Sequence, residues 1–92
     1  MKYGEIEGKK VIDKQARLLG KVYEIEIDVK DWKVTHFCLD VDKDAVKDLG
    51  LRKPIIGSVK AIFPTEMIGA ISDGIILNGN IGEFKNIIKS QS

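Results

Sequence analysis

Glu24, Glu26, His36 and Cys38 bring a carboxylate pair, the only imidazole and the only thiol of this 92-residue chain into two short alternating runs, YEIEIDV and VTHFCLDV. If the runs pair as a hairpin centred on Asp31, Glu26 stands opposite His36 and Glu24 opposite Cys38. Carboxylate, imidazole and thiolate are all zinc ligands, so a metal site is the first chemistry to weigh. A structural zinc needs four convergent ligands, whereas neighbours on a flat strand point in parallel. The expected role is therefore a cross-strand acid and histidine pair, of about 0.2–1 kcal/mol, with no metal or cofactor. A thiol enzyme is the second chemistry. It needs the base within hydrogen-bond reach, and the i,i+2 spacing of His36 and Cys38 separates them by about 7 Å at the backbone. Cys38 is expected to be a small apolar filler at a sheet surface, and no catalytic residue is assigned.

The elements that carry these residues are short. In VIDKQARLLGKVYEIEIDV a brief strand, a polar turn and a longer strand follow one another, with Leu19, Tyr23, Ile25, Ile27 and Val29 on one side of the long strand. Glu24, Glu26 and Asp28 alternate with them, a period of two that marks a half-buried strand. The next run sets Phe37, Leu39 and Val41 against His36, Cys38 and Asp40. Beyond it, Asp42 or Asp44 can cap a short helix through Ala45, Val46 and Leu49 that Gly50 ends. GSVKAIF resumes a strand, PTEM reads as one helical turn, and Asp73-Gly74 suits a type I′ hairpin turn. The closing NIGEFKNIIK, with Ile81, Phe84, Ile87 and Ile88, fits either a last strand or a helical turn. The sum is an all-β fold, a small barrel of short antiparallel strands with one or two short helical turns, in a single domain over residues 1–92.

Fifteen Lys and Arg against fourteen Asp and Glu leave a net charge of +1, which argues against a nucleic-acid footprint or a polybasic membrane patch. The basic residues Lys9, Lys10, Lys14, Arg17 and Lys21 gather around the first turn, while acids crowd the hairpin. Such opposed patches suit docking between proteins. The lone cysteine excludes an internal disulfide, the opening MKYGEIEGKK lacks a signal-like apolar stretch, and no apolar run nears the roughly 20 residues of a membrane span. The expected location is the cytoplasm. DLGLRKPIIGS has glycines with Arg52 and Lys53, but it lacks the Gly-Lys-Ser/Thr ending of a phosphate loop.

The succession Gly8, Lys9, Val11, Asp13 and Gly20, then Pro64, Ile68, Ile71, Asp73, Ile75 and Leu77, resembles the PRC-barrel family. The resemblance runs from residue 8 to about residue 80, leaving 81–92 as a C-terminal tail. Ala16 departs from it, standing where the family usually has glycine, so the first turn is expected to take another shape. The resemblance implies a β-barrel module like those of the photosynthetic reaction centre H subunit and a bacterial ribosome maturation factor. Stand-alone chains of this length look most like archaeal PRC-barrel proteins, some of them cell-division adaptors. It implies a non-enzymatic module that forms a homodimer and docks protein partners, without direct membrane insertion. The alternative is a ribosome maturation or RNA-associated factor that uses the basic turn. Contact residues are expected at Trp32, a solitary tryptophan in a turn, and at Phe37, Ile55, Ile56 and Phe63 on an apolar sheet edge.

Overall fold

The computed structural model describes residues 2–52, 57–85 and 87–90. Seven strands form one curled sheet: β1 (Lys10–Ile12), β2 (Leu18–Asp28), β3 (Lys33–Val41), β4 (Val59–Pro64), β5 (Ile68–Ile71), β6 (Ile75–Leu77) and β7 (Lys89–Ser90). Their order is β5-β6-β1-β2-β3-β4-β7, which curls into a half-barrel. The strands are not all antiparallel as expected, because β1 and β6 pair in parallel, with Val11 beside Ile75. Three one-turn helices, α1 (Tyr3–Ile6), α2 (Lys43–Val46) and α3 (Ile81–Phe84), join a 3-10 turn at Thr65–Met67.

Alternation builds the interior. The cross-strand rows Val11, Gly20, Val41, Val59 and then Val22, Leu39, Ala61 face inward, and all seven are buried. The intervening row, Lys10, Lys21, Asp40, Lys60, faces out, with Lys60 3.4 Å from Asp40 and its ammonium 4.7 Å above the Tyr23 ring. The β2 pattern departs from strict alternation at two points, first at Leu19, which is extra in the pairing with β1 and is buried beside Gly20, and again at Tyr23. Val22 opposes Leu39 and Glu24 opposes Cys38, so Tyr23 is an extra residue, a bulge. Bulges shift the phase of a strand and increase its twist. Val22 therefore joins Leu19 in the core, and Tyr23 lies half-buried.

Local signals fix the helices. The Asp42 carboxylate accepts from the Asp44 amide at 3.2 Å, and Gly50 takes a left-handed φ of 72° while the Leu51 amide returns to Val46 O. These are a side-chain N-cap and a glycine stop, as the sequence predicts. The segment after β6 is both of the structures the sequence allowed, α3 followed by β7. Ile81, Phe84 and Ile88 complete the core.

Two turns correct the sequence reading. β5 and β6 are joined by three residues, Ser72, Asp73 and Gly74, and neither Asp73 nor Gly74 has the positive φ of a type I′ turn. Gly74 serves a close approach instead. A Cβ there would stand 3.0 Å from the Lys10 carbonyl oxygen of the neighbouring β1. The first turn does keep the left-handed conformation at Ala16, with φ 65°. Its shape is held by the Asp13 carboxylate, which accepts from the Gln15 and Arg17 amides at 2.9 Å each. An alanine methyl in that region costs about 1 kcal/mol, partly offset by the greater freedom of glycine in the unfolded chain. Ala16→Gly is therefore expected to stabilise the protein by about 0.5 kcal/mol, read as a higher urea midpoint with an unchanged slope.

Candidate interaction surface

The β2–β3 hairpin outruns the strands around it. β1 pairs with β2 only as far as Lys21, and β4 pairs with β3 from His36 to Val41, so the distal part of the hairpin projects. Asp28 and Lys33 close a four-residue loop of Val29, Lys30, Asp31 and Trp32, in which the Asp28 carboxylate accepts from the Lys30 amide. Glu26 opposes His36 and Glu24 opposes Cys38, as the sequence implies. The register is kept because Thr35 forms a second irregularity, between the pairs Glu26–His36 and Ile27–Val34. Thr65 ties down that base, its hydroxyl donating to the carbonyls of Val34 and Thr35 at 3.2 and 3.3 Å.

The tip is apolar and wet. Trp32 is 77% exposed, Val29 70% and Ile27 49%. Alternation assigned Ile27 and Val29 to the inside, but the inner face of the hairpin continues past the end of the core and leaves them uncovered. The missed signal was strand length: β4 has six residues and β2 eleven. Trp32 also has φ 54°. A bulky side chain in the left-handed region is a strained arrangement.

Of the three expected interface residues that lie among the described residues, Trp32 alone is placed on the surface. Phe37 and Phe63 are corrected to core residues, 3% and 0% exposed, with ring centroids 5.5 Å apart at 51°. They oppose one another in the β3–β4 register and face inward, so they stack on each other rather than offering a contact edge. A tilted pair of this kind contributes about 0.5–1.5 kcal/mol beyond its burial. Ile55 and Ile56 lie outside the described residues.

The acid, imidazole and thiol face has a simple electrostatic character. Glu26 lies 3.5 Å from His36 Nδ1, which also contacts the Thr35 hydroxyl at 3.1 Å. Cys38 is fully buried between Glu24 on β2 and Ile62 on β4. Burial pushes its thiol up, and the charges of Glu26 and Glu24 push it further, so it stays protonated. A reactive thiol needs the opposite surroundings. Among the described residues no group of three or more His, Cys, Asp or Glu is arranged to hold a metal. The basic first turn is partly spent internally. Arg17 pairs with Asp48, and the Lys9 ammonium donates to the carbonyls of Ser72 and Asp73.

The half-barrel, its parallel β1–β6 closure and its left-handed first turn coincide with a match to the PRC-barrel domain over residues 1–79. The chain belongs to the PRC-barrel family. PRC-barrel domains are commonly protein-interaction modules. The match ends before α3, although Ile81, Phe84 and Ile88 are core residues of this PRC barrel. Among curated proteins nothing matches the chain. Among the described residues no helix is long and apolar enough to cross a membrane.

Proposed function

We propose that this PRC-barrel protein is a non-enzymatic adaptor of the cytoplasm that self-associates and docks other proteins through its projecting hairpin. One observation carries the reading: Trp32 sits 77% exposed, at a backbone angle that costs energy. It adds neither burial nor conformational ease to the fold, and exposed aromatics of this kind anchor interfaces. Val29 and Ile27 extend the same apolar surface. The resemblance to stand-alone archaeal division adaptors suggests the setting, which purification of the tagged chain from its own cells tests by the identity of what accompanies it.

The physical test uses opposed signs. Trp32→Gly relieves the left-handed strain and is expected to raise chemical stability by about 0.5–1 kcal/mol. The same substitution is expected to weaken the homodimer about tenfold or more in sedimentation, since hot-spot aromatics contribute 2 kcal/mol or more to binding. A strictly monomeric wild type at high micromolar concentration defeats the self-association. RNA binding whose affinity falls steeply with salt is the mark of the RNA-associated factor and replaces the reading.

A further inference from the structure

The hairpin is unfinished along its side as well as at its tip. β1 pairs with Leu18, Gly20 and Lys21, and the Val22 amide and carbonyl bond to Lys9 and Gly8. From residue 24 to residue 28, β2 pairs with β3 alone among the described residues. Its other edge is a row of backbone donors and acceptors beside which no strand lies among the described residues. Glu24, Glu26 and Asp28 lie on one face of that edge, and Ile25 and Ile27 on the other. Glu24 makes no ion pair among the described residues.

We propose that this edge of β2 receives an extended segment of another protein in which lysine or arginine alternates with apolar residues. Strand addition supplies main-chain hydrogen bonds whatever the sequence, and alternate side chains set the choice. The carboxylates of β2 select basic residues on one face, while Ile25 and Ile27 select apolar residues on the other. The same edge of a second copy does not fit. Antiparallel pairing of β2 with itself about Glu26 sets Glu26 against Glu26 and Glu24 against Asp28, and parallel pairing aligns each acid with its twin. Like charges directly opposite destabilise a sheet, so the same acids that attract a basic strand keep the edge from pairing with its copies. The inference deepens the adaptor reading and rests on it, assigning the edge to the partner and the tip to self-association.

The probe is the synthetic peptide Lys-Val-Lys-Val-Lys-Val-Lys, titrated against the whole chain by amide NMR and hydrogen exchange. Controls are Glu-Val-Glu-Val-Glu-Val-Glu and a peptide with the same lysines and valines in two blocks. The alternating basic peptide is expected to slow exchange at residues 24–28 and to bind about tenfold more tightly than either control. Glu24→Lys with Glu26→Lys should reverse the preference toward the acidic peptide. Glu26→Gln, which keeps the size and removes one charge, should give a smaller loss. Equal affinity for the alternating and blocked peptides, or protection elsewhere than residues 24–28, overturns the assignment. So does a loss of the free chain's self-association on charge reversal, which places a second copy at the edge. A dimer that still depends on Trp32 while the peptides fail leaves the adaptor reading standing and removes this inference alone.

Discussion

Gly20→Ala is expected to unfold the protein at room temperature or to lower its stability by about 3 kcal/mol or more, the upper end of what overpacking costs. Gly20 is buried in the middle of the sheet, between Val11 of β1 and Val41 of β3. A Cβ built on it collides with the Asp40 carbonyl oxygen and lies 3.0 Å from both Asp40 C and Val41 Cα. All three atoms are backbone, so no side chain can swing aside. Relief requires β2 and β3 to part where the Asp42 amide also bonds to Leu19 O at 2.7 Å. A urea titration followed by tryptophan-independent far-UV dichroism reads the loss. A variant as stable as the wild type means that the strands separate there at no cost.

The second large effect belongs to Asp13, 1% exposed and the one buried charged residue among those described. One carboxylate oxygen accepts from the Gln15 and Arg17 amides, and the other accepts from the Ile81 amide, each at 2.9 Å. The residue thus shapes the first turn and holds the start of α3. Burial alone pushes its carboxyl up, but the amides of Arg17, Ile81 and Gln15, with the Arg17 charge, outweigh it and hold it below the usual carboxylate range. Asp13→Asn turns an amide donor toward a backbone donor and is expected to cost about 2–3 kcal/mol, or roughly 15 °C in Tm for a domain of this size. The sign of the pH dependence follows from the lowered folded value. The stabilisation is fully present above the unfolded carboxylate value of about 4 and is lost as pH falls through the folded value. The gap between wild type and Asp13→Asn should therefore narrow below about pH 4, and a gap constant with pH rules out the charged form as its source.

Much of this was legible in the residues. Period-two alternation located β2 and β3 and set Glu26 opposite His36, and Asp42 and Gly50 marked the limits of the α2 segment. What the sequence hid were consequences of distant chain meeting near chain. The Tyr23 bulge has no composition signal, because any residue can be the extra one. Gly20 and Gly74 read as turn or strand breakers, whereas each makes room for a backbone across the sheet. Phe37 and Phe63 show why alternation misleads about interfaces: it tells which face a side chain occupies, not whether another strand already covers that face. Ala16 shows the converse. Its left-handed angle persists without glycine because the Asp13 hydrogen bonds over-determine the loop.

β1 lies in the interior of the sheet order, yet its partner on one side is β6, with Val11 beside Ile75. Asp13 likewise waits for an amide at Ile81. During synthesis β1 therefore emerges from the ribosome about sixty residues before either companion exists, and a charged carboxyl must stay in water until Ile81 arrives. Long-range closure of this kind is slow relative to local pairing. The half-barrel therefore cannot close until that distant segment is present, and until then β1 has a neighbour on its β2 side alone.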